Sequence, residues 1–292
     1  MTENTLQKKQ RKPAWFKIRT PLGQNYSEVK KLVTSLNLHT VCQEANCPNR
    51  AECYGERTAT FLILGENCTR GCSFCNVSRG EPSAVDEGEA RRVAEAVVKL
   101  GLEYAVITSV TRDDLPDGGA RVFADVIESI REIKPGCKVE VLIPDFMGNQ
   151  DALKKVLDAR PDVLNHNIET VARLYPEVRR GADYHRSLQV FKRASSYDSR
   201  LLIKSGLMVG LGEKLSEISE AMADLYHSGC RLLTVGQYLA PSENHHPVIK
   251  FYTPEEFGEL EKMAYQIGFM GVVSGPLIRS SYRAHSMFRE QS

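Results

Sequence analysis

The sequence predicts an α/β fold in which parallel strands form a curved or barrel-like sheet covered by helices. Three observations carry that expectation. From residue 58 onward, short apolar runs alternate with helical patterns. The runs begin about 34 residues apart, the size of one βα unit, and six such units in series imply parallel pairing. Nearly every run also ends in polar or Gly-rich residues. That suits a barrel, whose functional groups gather at the C-terminal strand ends, better than an open sheet with one switch point.

In chain order, residues 1–57 show no sustained periodicity apart from a short amphipathic stretch at 26–36, and read as an extension held down by what it binds. The first strand is expected at 61–64, running into Gly65-Glu66-Asn67, with a helix at 87–100. The run 104–109 ends on Thr108-Ser109 before a helix at 120–133, and 138–143 ends on Pro144-Asp145 before a helix at 151–159. A strand at 163–167 leads into Ile168-Glu169-Thr170, followed by helical patterns at 171–178 and 185–195. The run 201–209 meets Gly210-Leu211-Gly212-Glu213 before a helix at 214–227, and 232–238 ends on Gln237-Tyr238. A helix at 254–267 and a tail to Ser292 complete the chain.

The 292 residues are 42% hydrophobic and 26% charged, with a formal charge of +1, so nothing overall marks a nucleic-acid or anionic-membrane binder. The basic run 8–12 reads as a solvated tail. No apolar run approaches the ~18 residues of a membrane span, and the N-terminus lacks the apolar core of a signal peptide. The expected compartment is the cytoplasm, where cysteines serve as ligands, nucleophiles or small core residues.

Six of the eight cysteines fall between Cys42 and Cys75, which marks a site. Cys68, Cys72 and Cys75 form Cys-x3-Cys-x2-Cys directly after the first strand. Three thiolates on one loop suit three irons of a 4Fe–4S cube and leave one iron open to another ligand. Zinc is the lesser alternative, since structural zinc sites want a second Cys or His pair and none lies at matching distance.

This motif, with Phe74 just before its last cysteine, resembles the signature of the radical S-adenosylmethionine (SAM) superfamily. The resemblance implies a partial (β/α)6 TIM-type barrel. It also implies that the open iron chelates the amino and carboxylate groups of SAM, which one electron cleaves to methionine and a 5′-deoxyadenosyl radical. A second triplet, Cys42, Cys47 and Cys53, stands as Cys-x4-Cys-x5-Cys in the extension. Its surroundings, 38–49, are similar to the N-terminal motif of the lipoyl synthase family, as are the blocks at 108–119, 165–170, 204–213 and 275–282. His246 departs locally from that family, which more often has an apolar residue there.

What this resemblance implies is specific: insertion of two sulfur atoms, at C6 and C8 of an octanoyl chain amide-linked to a lysine of a carrier domain. The second triplet, with Ser281 of Arg279-Ser280-Ser281-Tyr282, holds an auxiliary 4Fe–4S cluster that is the sulfur source. A hard oxygen ligand beside three soft thiolates makes one iron easier to lose. The implied division is an auxiliary-cluster extension at 1–57, a radical SAM barrel at 58–275 and a closing tail at 276–292. Implied partners are octanoylated lipoyl carrier domains (2-oxoacid dehydrogenase E2 subunits and the glycine cleavage H protein), a ferredoxin or flavodoxin reductant and an iron–sulfur cluster carrier. Unactivated methylenes offer nothing to acid–base or nucleophilic groups, so no catalytic triad or carboxylate pair is expected.

Asn167 and Glu169, two residues apart, are expected on one side of a strand end to hold SAM, with a self-bonded polar loop as the alternative. Phe74 and Lys204 are further SAM candidates, and Arg279 is a candidate bridge between substrate and auxiliary cluster. Asp113, Asp114 and Asp117 precede Gly118-Gly119, where turn chemistry competes with a binding role. Gly210 and Gly212 are not part of a dinucleotide fingerprint, Cys137 and Cys230 read as inert thiols, and His245 and His246 should diverge. Since both clusters must reach one octanoyl chain, Cys53 is expected at the C-terminal face, with 54–60 running back outside the barrel. A methylthiotransferase-like radical SAM enzyme and a non-catalytic iron–sulfur electron carrier are the competing readings.

Overall fold

The computed structural model describes residues 12–16 and 23–289, so the basic run, apart from Lys12, lies outside the described residues. The strands are β1 His39–Thr40, β2 Thr60–Ile63, β3 Tyr104–Ser109, β4 Lys138–Leu142, β5 Val163–Asn165, β6 Leu202–Val209, β7 Leu232–Gln237 and β8 Gly271–Gly275. The α-helices are α1 Gln24–Ser35, α2 Val41–Glu44, α3 Arg50–Gly55, α4 Glu89–Leu100, α5 Ala120–Ile133, α6 Gln150–Asp158, α7 Tyr175–Val178, α8 Tyr184–Tyr197, α9 Leu215–His227, α10 Pro254–Ile267 and α11 Ala284–Arg289. The strands pair in sequence order, parallel from β2 to β8, with β1 antiparallel on the outer edge of β2. The sheet is a partial barrel, open between β1 and β8.

Two strands were not expected. The extension is stitched into the sheet by β1, and β8 adds a seventh parallel strand after α10. Its sequence, Gly-Val-Val-Ser-Gly, is short and bounded by glycines, so it offers too little periodicity to mark a strand. The helices form where apolar residues recur on one face: α5 buries Val122, Phe123, Val126, Ile127 and Ile130 against the sheet, and α10 starts on Pro254 with a Thr253/Glu256 capping box. The expected helix at 171–178 is broken instead into a single 3-10 turn, Ala172–Leu174, and the short α7.

Alternate residues of each strand face the barrel interior. On β4, β5 and β6 this places Glu140, Asn165 and Lys204 in one buried layer, with the half-buried Tyr104 of β3 beside them. Lys204 Nζ donates to both Glu140 carboxylate oxygens (3.0 and 3.2 Å), Asn165 Nδ2 donates to Oε1 (2.8 Å) and Tyr104 Oη donates to Oε2 (2.6 Å). This polar floor lies beneath the positions on the same strand faces that form the cavity wall.

The tail returns along the open side. From the end of β8 it passes Gly236 and α3, then places Phe288 of α11 against Tyr104 at the start of β3 (ring centroids 5.5 Å). No helix among the described residues is long and apolar enough to cross a membrane.

Candidate functional site

Both cysteine triplets line a single cavity of about 1460 Å³ that occupies the barrel's interior and its open side. Cys68, Cys72 and Cys75 lie on the loop after β2, and that loop is pinned from every side. The Ser73 amide donates to Val178 O (2.9 Å), the His246 amide to Ser73 O (2.9 Å) and the Thr69 amide to Thr111 O (3.0 Å). His246, placed by sequence away from any ligand, therefore contacts this loop through its backbone. The rings of His245 and His246 do diverge, to Cys75 O (3.2 Å) and Leu211 O (2.9 Å).

Within the motif itself stands Arg70, whose side chain is 6% exposed. Its Nε and Nη2 grip the Asp113 carboxylate (2.7 and 2.8 Å), Nη2 also reaches Asp145 (2.6 Å), and Asp145 accepts a second ion pair from Arg186 Nε (2.7 Å). Burial alone would raise the Asp145 carboxyl, but the hydrogen bonds and charge of Arg70, with Arg186, hold it well below the ordinary carboxylate range. The bidentate grip fixes the loop in a way a lysine cannot reproduce. Arg70→Met is expected to cost about 3 kcal/mol in urea unfolding of the anaerobic protein. It should also speed loss of about half the iron, a loss that a rigid loop in R70M would not show.

The other Asp candidates are committed elsewhere. Asp114 pairs with Arg112 (2.8 Å), while Asp117 accepts the amides of Gly119 and Arg121 (3.0 Å each) and the Lys155 ammonium (3.0 Å). Cys137 and Cys230 are buried free thiols away from both triplets.

Cys42, Cys47 and Cys53 are carried by α2, the following turn and α3. The expected run of 54–60 back along the barrel does not occur: the Thr58 amide and hydroxyl return to Cys53 O at 2.8 and 3.0 Å, so the chain turns within five residues. Cys53 thus lies beside the start of β2, and Cys42 sits against Thr60. Cys53 is therefore not at the C-terminal face, but β2 has only four residues, ~13 Å at ~3.3 Å each, so its two ends lie close. Both triplets therefore face one cavity without any return path.

Burial pushes the Cys42 thiol up to about 11, and Cys53 and Cys75 up to about 12, with neighbouring cysteines adding to the rise in each case. Thiolates so placed need adjacent cationic charge, which bound iron provides. Each cysteine of a triplet can bind a different iron of a cube, so the two donor sets fit 4Fe–4S clusters.

Charged side chains, Arg179 buried and Glu169 and Arg279 half-buried, lie near members of both triplets. Arg179 lies near Cys72 and Glu169, and Arg279 near Glu169 and Cys47. Arg179 Nη1 is held by Tyr175 Oη (2.8 Å) and Ser187 Oγ (3.0 Å). Asn167 and Glu169 do come together, Nδ2 donating to Oε1 at 3.0 Å, though not through strand pleating. β5 stops at Asn165 and Glu169 takes a left-handed φ of 66°. Gly206 makes room for this turn, since a Cβ there would lie 2.6 Å from Asn167 Oδ1. Asn167 Oδ1 and Ser109 Oγ are buried, unpartnered and on the cavity wall, a condition that costs ~1–3 kcal/mol each unless a ligand supplies a donor.

Phe74 lines the same cavity, as do Ser281 and Arg279. Lys204 was expected at SAM or substrate, but its ammonium is committed to Glu140 in the floor layer, two residues below the cavity-lining Gly206. Arg70 and Arg179 were not singled out from sequence, although Arg70 lies inside the cysteine motif, and Ser109 and Asp145 were marked only as polar strand ends.

Comparison with known proteins agrees with this geometry. Residues 62–225 match the model of the radical SAM superfamily, and residues 2–47 match the N-terminal domain of lipoyl synthase. The chain is 57% identical over 274 residues to a lipoyl synthase of Rubrobacter xylanophilus, covering 94% of this chain and 85% of that one. It is also 57% identical to the lipoyl synthase of Caldicellulosiruptor saccharolyticus, covering 94% and 96%. Among solved structures, the fold is shared with a maturase of the [FeFe]-hydrogenase (TM-score 0.58, 17% identity, 93% of this chain and 63% of that one). Methylornithine synthase shares it too (TM-score 0.53, 15% identity, 89% and 81%).

Proposed function

The chain belongs to the lipoyl synthase family of radical SAM enzymes, and from that premise we propose that its two cysteine triplets carry separate tasks on one cavity. The enzyme inserts two sulfur atoms into a protein-bound octanoyl chain, using SAM and 4Fe–4S clusters. In our reading Cys68, Cys72 and Cys75 hold the cluster that binds SAM, with Asn167, Glu169 and Phe74 beside the cofactor. Cys42, Cys47, Cys53 and Ser281 hold the auxiliary cluster. When bound, the first cluster supplies the electron that cleaves SAM and the second supplies sulfur.

The chain's own residues do the positioning. Burial raises the Glu169 carboxyl on balance, with Arg179, Asn167 and Arg279 drawing it down, and the group lines the cavity where it can hydrogen-bond SAM's ribose or ammonium. Asn167 Oδ1 and Ser109 Oγ offer further acceptors on the wall. Val106, Leu142 and Met208 give the cavity an apolar lining suited to an alkyl chain and hostile to water. The acceptors of sulfur are octanoylated E2 subunits and the glycine cleavage H protein, with a ferredoxin or flavodoxin as reductant and a cluster carrier to restore the auxiliary site.

The observation that carries the proposal is that both triplets face a single cavity, because one alkyl chain must meet both chemistries. Anaerobic incubation with SAM, a reductant and an octanoyl-lysine peptide should yield a dithiol product heavier by two sulfur atoms, which loses two hydrogens on oxidation to the ring disulfide, read by mass spectrometry. SAM cleavage without any sulfur in the product would defeat the reading.

A further inference from the structure

The tail that brings Ser281 to the auxiliary triplet has no regular secondary structure between β8 and α11, yet it is fastened on both sides of that serine. Before it, Asn49 Nδ2 donates to Leu277 O (2.6 Å). The carbonyl of Ile278 packs so close to β7 that a Cβ at Gly236 would lie 2.2 Å from it. After it, Tyr282 Oη and Arg283 Nη2 both donate to Glu52 Oε1, at 2.6 and 2.9 Å. Asn49, Glu52 and Cys53 stand at i, i+3 and i+4 along the start of α3, the spacing that places side chains on one helix face. The helix face that presents Cys53 thus also grips the chain on either side of Ser281.

We propose that Glu52 is a positioning residue: by holding Tyr282 and Arg283 it keeps the Ser281 hydroxyl at the auxiliary cluster. The inference rests on Ser281 being a ligand of that cluster. A serine oxygen binds iron less firmly than a thiolate, so it depends more on being held in place. Glu52 is the shared acceptor of two tail donors, with its side chain 15% exposed, and a hydrogen bond from a neutral donor to a carboxylate is among the stronger ones. Tyr282 and Glu52 are 230 residues apart, so the tail is joined to α3 through tertiary contacts such as this one and not through the chain.

The test uses the full chain with Cys68, Cys72 and Cys75 replaced by Ala, so that about four irons remain, all auxiliary. Iron release to a chelator is followed by absorbance for that parent and for S281A, E52Q, Y282F and E52D. S281A should release iron several-fold faster. E52Q and Y282F should match it, E52D should recover part of the difference, and adding Y282F to S281A should change nothing further. Y282F leaves α3 itself untouched, so its effect cannot come from misplacing Cys53. Fast release in S281A with parent-like release in Y282F and E52Q would overturn the role of Glu52 while keeping Ser281 as ligand. Parent-like release in S281A would overturn the ligand assignment and the inference with it.

Discussion

Replacing Cys42, Cys47 and Cys53 together with Ala is expected to abolish sulfur insertion while SAM cleavage continues. The Cys68 loop takes its supports from Val178, Thr111, Asp113, Asp145 and His246, all in the barrel, and its described link to the extension is the bond from Asn76 Nδ2 to Glu44 O (2.8 Å). Removing three thiols at the start of β2 leaves that scaffold intact. Iron and sulfide should fall from about eight to about four per chain, and 5′-deoxyadenosine should still form at a rate within a few-fold of the parent. Product analysis by mass spectrometry should show no added sulfur. A folded variant that keeps four irons but cleaves no SAM would show that the two triplets do not divide the work.

The second large effect is on stability. Lys204→Met should lower the unfolding free energy by about 3–5 kcal/mol, because Glu140 would lose its ion-pair partner in a layer where both are 1% exposed. Against a total of ~5–15 kcal/mol for a domain, such a loss decides whether the chain accumulates folded. The double variant K204M/E140L removes the stranded carboxylate as well and should recover most of the loss, at the expense of the Tyr104 and Asn165 hydrogen bonds. Urea unfolding of the anaerobic protein measures both. If K204M alone is as stable as the parent, Tyr104 and Asn165 suffice to hold the carboxylate.

Much of the site was legible because it is encoded by residues close together in the chain. Cys-x3-Cys-x2-Cys and Cys-x4-Cys-x5-Cys are local spacings, and the alternation of apolar runs with helical patterns fixes where βα units begin. Asn167 and Glu169 were recognisable for the same reason, although the contact between them depends on a left-handed turn and on the missing Cβ of Gly206 rather than on pleating. Period-two alternation could place Lys204 inside the barrel, but not its depth.

Depth, closure and long-range pairing belong to the tertiary structure alone. Arg70 finds Asp113 and Asp145 at separations of 43 and 75 residues, and nothing near any of the three announces the others. Lys204 became floor instead of ligand because register pairs it with Asn165, and Glu140, two residues before the β4 residue in that register, accepts from its ammonium. The auxiliary triplet reached the shared cavity by a short strand and a tight turn at Thr58, where chain-length reasoning had called for a long return path. Local spacing in the sequence marked the cysteines proposed as metal ligands, since ligand chemistry resides in single side chains. Only the folded chain decided which of the remaining charges face the cavity and which support it, since that depends on sheet register and on contacts between segments that no local pattern encodes.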